Sequence, residues 1–153
     1  GNYLGRFSSL SGVDASIDSI SWNPVNDRMW VVSNTLNTTY EVNSSGVMSS
    51  KITSTVSRYP YQGVFIRDKT SVEFWMCNWL YSSVRRYSTT TGSRLSGDIV
   101  QLSNAPGSPK GPYSIALGAD RHVYVSHDMG VSKFDRNGTF IATVLSPTLL
   151  NEV

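Results

Sequence analysis

Charged side chains are scarce in this sequence of 153 residues, where they make up 16% against about 25% in an average globular protein. The 13 basic and 11 acidic side chains leave a formal net charge of +2. No run of Lys and Arg occurs, so we predict no nucleic-acid partner. No apolar run reaches the roughly 18 residues that a membrane helix needs, so we predict no membrane span.

Cysteine is nearly absent, and Cys77 is the single one. An internal disulfide and a multi-cysteine zinc site are therefore excluded. Cys77 lies in an apolar run and is predicted to be a buried thiol. The low charge and the abundance of Ser and Thr predict an extracellular or secreted protein. Three glycosylation sequons fall in predicted turns, at Asn37, Asn43 and Asn137.

An internal repeat of roughly 45 residues is the clearest pattern in the sequence. Trp30 and Trp75 are 45 residues apart, and Gly46, Gly92 and Gly138 follow one another at intervals of 46. Each unit contains four short runs rich in Val, Ile, Thr and aromatic residues, bounded by turn residues. We therefore predict four β-strands in each unit, with a small residue in the first strand and a turn glycine before the fourth.

Four strands in a unit of this length are typical of a β-propeller blade, because a lone sheet of this size must stack on others to bury its faces. We predict an all-β propeller segment with the outer strand of a preceding blade at 1–11. Three four-stranded antiparallel blades follow at 15–56, 60–103 and 111–146, and 147–153 leads towards another blade. Three blades cannot close a ring of about four to eight. We expect a piece of a longer polypeptide, with closure by a second chain as the alternative.

The third unit resembles an NHL-type repeat in three stretches, which run from Pro112 to Ala116, from Val123 to Ser126 and from Phe134 to Gly138. It departs from that family at Ser114 and Arg121, which stand where the family has glycine. In outline the chain also resembles the gluconolactonase-like propellers. The resemblance implies a ring of about six blades, and it does not imply one chemistry.

The connections between blades and those between second and third strands are expected at one end of the ring, which we call the loop face. Aromatic side chains with a few cations at this end suit a protein interface, and aromatic rings beside amides suit sugars. The predicted contact residues are Arg58, Tyr59, Tyr61, Trp79, Tyr81, Lys110, Tyr113 and His127.

The resemblance to gluconolactonase-like propellers implies a divalent metal at the ring axis, held by carboxylates and Asn. Oxygen ligands suit calcium, and the candidate ligands are Asp18, Asn34, Asn78 and Asp128. Turn chemistry explains Asn34 and Asp128 equally well. We therefore predict no cofactor, with calcium as the alternative. We nominate no catalytic residue, because no Gly-x-Ser-x-Gly, phosphate-loop or His-Glu-x-x-His motif occurs.

Three functions stay open at this point. The first is a non-enzymatic binding or structural module, extracellular, that contacts protein or glycan through its loop face. The second is part of a metal-dependent hydrolase or lyase propeller of the gluconolactonase-like type. The third is a repeat of an extracellular fibre or matrix protein, in which this stretch packs on neighbouring repeats.

Overall fold

The computed structural model describes residues 16–53, 59–67 and 71–146, which form three four-stranded sheets. The first sheet contains β1 (Ser19–Asn23), β2 (Arg28–Ser33), β3 (Thr38–Val42) and β4 (Met48–Ile52). The second contains β5 (Pro60–Arg67), β6 (Val72–Asn78), β7 (Ser83–Ser88) and β8 (Arg94–Gln101). The third contains β9 (Ser114–Leu117), β10 (Val123–His127), β11 (Gly130–Phe134) and β12 (Phe140–Leu145).

Every sheet is an antiparallel meander in which the strand order follows the chain. The turns are built by residues that accept unusual backbone conformations or bond their own backbone. After β1, for example, the side-chain oxygen of Asn23 accepts a 2.9 Å hydrogen bond from the amide of Val25, and Asp27 has a φ of 57°. Two short 3-10 turns, at Trp79–Tyr81 and Leu102–Asn104, follow β6 and β8.

The first strands of the three sheets, β1, β5 and β9, lie side by side. Their small side chains bridge the gaps between sheets. Ser19 donates a 3.0 Å hydrogen bond to the carbonyl oxygen of Tyr61, and Ser21 donates a 2.5 Å bond to that of Gly63. Ser114 bonds the side-chain oxygen of Gln62 in the same way. The predicted small residues of the first strands therefore allow the close approach of successive sheets.

The junction between the first and second sheets is aromatic. Trp30 is fully buried, and its ring centroid lies 5.2 Å from that of Phe65 and 4.8 Å from that of Phe74. The ring of Phe74 also lies over Gly63, where an added Cβ would be 2.1 Å from the ring carbon Cζ. A glycine at this position of β5 is therefore required by the packing of Phe74.

The junction between the second and third sheets is larger and mainly aliphatic. Trp75 and Cys77 of β6 point into it, as do Ile115 and Val125 of the third sheet. Successive residues of β6 thus serve opposite junctions, as the period of two in a strand requires. Cys77 is fully buried, and burial raises the pKa of its thiol far above the usual value. The prediction of a buried structural thiol is confirmed.

Each sheet carries a second-strand aromatic whose polar edge donates to a carboxylate. Trp30 donates to Glu41 at 3.0 Å, Trp75 to Glu73 at 2.9 Å, and the hydroxyl of Tyr124 to Asp120 at 2.8 Å. A cation accompanies each carboxylate, and the cations are Arg28 with Lys51, Arg86, and Lys133. We call these three groups the aromatic–carboxylate sets. They were not predicted from the sequence.

Turn glycines of the second and third sheets lie directly against the sheet before them. Gly92, in the turn before β8, has a φ of +73°, and an added Cβ would lie 1.9 Å from the carbonyl oxygen of Lys51 in β4. Gly138, in the turn before β12, has a φ of +84°, and its Cβ would lie 1.4 Å from the carbonyl oxygen of Ile99 in β8. Both positions exclude a side chain for reasons of space and of conformation.

The prediction of an all-β fold with three four-stranded antiparallel sheets is confirmed. The predicted outer strand at 1–11 and the lead at 147–153 lie outside the described residues. Within the three described stretches, no helix has the length and apolar character needed to cross a membrane.

Candidate binding face

The loop face of the first sheet is held by side-chain hydrogen bonds to backbone. The carboxylate of Asp18, just before β1, accepts a 2.7 Å bond from the amide of Asn34, just after β2. Asn37 has a φ of 50°, and its side-chain oxygen accepts a 2.6 Å bond from the amide of Tyr59. The second of these bonds joins the loop of the first sheet to the start of the second.

The loop face of the second sheet is centred on Trp79. Its amide donates a 3.0 Å bond to the carbonyl oxygen of Tyr59, and the two rings meet edge to face with centroids 6.2 Å apart. The indole also lies against Gly111, where an added Cβ would be 2.5 Å from Nε1. Trp79 is therefore fixed by contacts with the segments that precede β5 and β9.

The loop face of the third sheet is closed by a reciprocal pair of hydrogen bonds. The amide of Lys110 donates to the Asp128 carboxylate at 2.8 Å, and the amide of Asp128 donates to the Lys110 carbonyl oxygen at 3.2 Å. Nearby, the rings of Tyr61 and Tyr113 meet edge to face at 5.5 Å. In all three sheets, the segment before the first strand is thus bonded to the segment after the second strand.

Large apolar side chains project from this ordered surface. Seven of them are between 39% and 47% exposed, and we call them the binding face: Leu36, Tyr59, Trp79, Leu80, Tyr81, Tyr113 and Met129. Burying such side chains against a partner is favourable because each removes apolar area from water. Their loops are already ordered by the bonds above, so little conformational entropy remains to be lost on binding.

Tyr81 is supported from behind by Arg85, which sequence reasoning did not identify. The guanidinium carbon lies 3.7 Å from the centroid of the Tyr81 ring. Arg85 is itself held by Asp98 at 3.1 Å, and Asp98 also accepts from Gln101 at 3.0 Å. The stack fixes the ring and leaves it 42% exposed. No sequence spacing marks it, because Asp98 lies on the neighbouring strand.

His127 differs from its predicted role as a surface contact. The side chain is only 7% exposed, its Nε2 lies 2.8 Å from the Ser132 hydroxyl, and its Nδ1 accepts a 3.1 Å bond from the amide of Met129. Nε2 therefore carries the proton and donates to Ser132. The ring is drawn inwards because β11 offers it a buried hydroxyl. Burial lowers the pKa of His127, against the opposing attraction of the Asp128 carboxylate.

This burial makes stability depend on pH. Because the pKa of His127 is lower in the folded chain than the unfolded value of about 6.5, the unfolded chain binds more protons as the pH falls below that value. We expect the free energy of unfolding in urea to be lower at pH 5.5 than at pH 7.5. The pKa values of Glu41, Asp120 and Asp135 are all lowered, so these carboxylates stay ionised throughout this window.

The matched control is His127→Gln, which keeps a donor for Ser132 and does not titrate. It is expected to show a smaller difference between the two pH values than the native chain. An equal difference in both chains would assign the pH dependence to other groups and contradict the role of His127.

The predicted metal ligands take part in different hydrogen bonds. Asp18 and Asn34 are joined by their hydrogen bond, and Asp128 binds Lys110 in the third sheet. Asn78 is fully buried, and its side-chain Nδ2 donates to the Met76 carbonyl oxygen at 3.3 Å. Among the described residues, no group of three or more His, Cys, Asp or Glu side chains is placed to hold a metal.

The remaining predicted residues fall in different surroundings. Arg58 lies outside the described residues, Lys110 is exposed, and Tyr61 is half-buried against the second junction. Of the sequon residues, Asn37 binds Tyr59, and Asn43 accepts bonds from the amides of Ser45 and Val47. Asn137 is exposed at the turn before β12.

Solved structures share this arrangement of sheets. A streptogramin B lyase is 19% identical with a TM-score of 0.60, and covers 91% of this chain and 43% of its own. The virginiamycin B lyase of Staphylococcus aureus is 14% identical with a TM-score of 0.64, covering 91% and 45%. A gluconolactonase of Xanthomonas campestris is 9% identical with a TM-score of 0.66, covering 86% and 48%. No protein-family profile and no curated protein matches the sequence.

The class of fold is thereby defined. The three sheets are blades of a β-propeller, and the chain has the partial propeller fold found in six-bladed lyase and gluconolactonase-like proteins. The chain spans less than half the length of each of these solved structures. At these identities the likeness shows the fold alone.

Proposed function

We propose that this chain is a non-enzymatic propeller module that holds a protein partner on its binding face. The observation that carries the proposal is the set of seven exposed apolar side chains on loops that hydrogen bonds already order. Aromatic side chains in such a setting are enriched among the residues that dominate binding energy. Trp79, Tyr81 and Tyr113 are the expected anchors.

The choice of protein over glycan follows from the polar groups of the face. Asp18, Asn37 and Asp128 already accept hydrogen bonds from backbone amides. Recognition of sugar hydroxyls needs polar side chains that are free to bond the ligand. These three side chains are therefore engaged within the loops, the exposed apolar side chains favour a protein partner, and a glycan is the second candidate ligand.

The test uses an immobilised library of random twelve-residue peptides and a panel of oligosaccharides as probes. For any probe that binds, Trp79→Ala and Tyr113→Ala are each expected to weaken the affinity at least tenfold, which is about 1.4 kcal/mol. The control is Val25→Ala, an apolar side chain that is 56% exposed in the turn at the opposite end of the first blade. An equal loss in the control, or none in either aromatic variant, would contradict the proposal.

A second candidate is catalysis within a larger ring. It is favoured by the solved structures, which are described as lyases and a gluconolactonase. The assay measures streptogramin B cleavage and gluconolactone hydrolysis with and without added divalent cations. Turnover that requires the cation and exceeds that of the Asp18→Asn and Asp128→Asn variants would replace the binding proposal by the enzymatic one.

We also propose an extracellular location, supported by the low charge and the exposed sequon at Asn137. In a secretory host we expect a glycan on Asn137, whereas Asn37 and Asn43 use their side chains in loop hydrogen bonds. Intact-mass measurement of the native chain and of Asn137→Gln tests this. A glycan-sized mass that persists in Asn137→Gln would contradict the assignment.

A further inference from the structure

The aromatic members of the three aromatic–carboxylate sets occupy equivalent places in their blades. Trp30, Trp75 and Tyr124 pair across to Ser21, Val64 and Ala116 of their first strands. The first two sets are covered by the following blade, since Trp30 is 0% and Trp75 is 3% exposed. An aromatic at this place therefore lies on the face of a blade that packs against the following blade.

In the third set Tyr124 takes the place of the tryptophan, its carboxylate comes from the turn before β10, and the ring is only partly buried. The Tyr124 hydroxyl donates to Asp120, which also accepts from Lys133 at 2.8 Å, and the Lys133 ammonium lies 5.7 Å from the centre of the tyrosine ring. The Lys133 ammonium holds the pKa of Asp120 well below its usual value, so the pair stays charged. Tyr124 is thus fixed on the outward face of the third blade.

The outward face of the first blade is apolar. Ile20 is 60% and Trp22 is 55% exposed, whereas the neighbouring Ser19 and Ser21 point the other way to bind the second blade. Two such large side chains exposed in β1 form a patch of the kind that marks an interaction surface.

The register of the strands identifies what this patch corresponds to. Trp22 pairs with Met29 in the first blade as Phe65 pairs with Phe74 in the second. Phe65 and Phe74 are the two rings that receive Trp30. Trp22 and Met29 therefore occupy the positions that would contact the second-strand aromatic of a preceding blade. The side-chain sizes at two equivalent positions are reversed between the blades. The first blade has the large Ile20 where the second has Gly63, and it has the slimmer Met29 where the second has Phe74.

We propose that two copies of this chain close a six-bladed ring, with Tyr124 of each copy packed on Trp22 and Met29 of the other. Three blades are half of the ring found in the solved six-bladed structures, and the chain spans 43% to 48% of their lengths. A two-fold axis makes the two new junctions identical and covers both outward faces of both copies at once. The loops of the second copy would then complete the other half of the loop face.

The experiment uses the 153-residue chain with Ile20→Cys and Ala116→Cys, two exposed positions beside the junction that leave Trp22, Met29 and Tyr124 in place. Within one chain these positions lie on opposite outward faces, so a short bis-maleimide can join them only between chains. We expect a covalent pair of chains in denaturing electrophoresis and a native mass twice 16.9 kDa. The control combines Ile20→Cys with Ile141→Cys, a residue of the outer strand β12 that is 44% exposed. This control is expected to give at least tenfold less covalent pair.

A second variant tests the junction without a reagent. Trp22→Asp places a charge on the receiving face and is expected to raise the dissociation constant of the pair at least tenfold in sedimentation. A native chain that stays monomeric at all concentrations would overturn the proposal. So would a pair that cross-links equally in the control, or one that Trp22→Asp leaves intact. Ring closure does not depend on which ligand the binding face takes, so a failed peptide screen leaves these outcomes unchanged.

Discussion

Replacing Gly138 by alanine is expected to lower the free energy of unfolding by about 4 kcal/mol. Two costs add at this position. The backbone has a φ of +84°, and the new Cβ would lie 1.4 Å from the carbonyl oxygen of Ile99. That oxygen belongs to the backbone of the preceding blade, so the clash cannot be relieved by turning a side chain. The turn must move away from β8, which opens the junction between the second and third blades.

Gly97 provides the matched control. Its φ of +74° is nearly the same, but nothing lies within 4 Å of a Cβ added there. Gly97→Ala therefore carries the conformational cost alone, about 1 to 2 kcal/mol. Urea unfolding followed by the fluorescence of the four tryptophans gives both values. Equal losses in the two variants would mean that the contact with Ile99 adds nothing.

Gly63→Ala is expected to have the second-largest effect, about 3 kcal/mol of lost stability. The added methyl group would lie 2.1 Å from Cζ of Phe74, and the ring of Phe74 is itself fully buried. Phe74 is held between Trp30 and Phe65, with centroids 4.8 Å and 4.9 Å away. The ring therefore has nowhere to move, and the strain passes into the first junction.

A second substitution tests this explanation. Phe74→Leu alone removes ring contacts and is expected to cost about 2 kcal/mol. Combined with Gly63→Ala it makes room for the methyl group, so the double variant should be more stable than the sum of the two losses predicts, by at least about 1 kcal/mol. Additive losses in urea unfolding would show that the two positions do not interact and would contradict the clash.

The sequence was sufficient to predict the repeat, the four strands of each blade and the turn glycines, because these follow from local spacing. It predicted small residues in the first strands, where Gly63 and Ser114 are found. It did not predict the aromatic–carboxylate sets. The carboxylate is 11, 2 and 4 positions from its aromatic, because Glu41 lies on β3, Glu73 on the same strand as Trp75, and Asp120 in the turn before β10. Because the carboxylate comes from a different place in each blade, no fixed interval in the sequence marks these pairs.

The candidate site was predicted less completely than the fold. The loops and their aromatics follow from strand order, so Trp79 and Tyr113 were placed on the surface that carries them. His127 is predicted there as well, but the direction of its side chain depends on the hydroxyl of Ser132, which lies on the adjacent strand β11. The support of Tyr81 by Arg85 depends likewise on Asp98 in β8. Such contacts are decided by the side chains available after the strands have paired.

The buried thiol of Cys77 gives the chain a built-in reporter of its own opening. It is the single cysteine, it is fully buried in the second junction, and its raised pKa keeps it in the unreactive thiol form. A thiol reagent can therefore label the native chain only while the second and third blades are apart. The rate of labelling measures how often that junction opens, without any added probe, and separates local parting of blades from global unfolding.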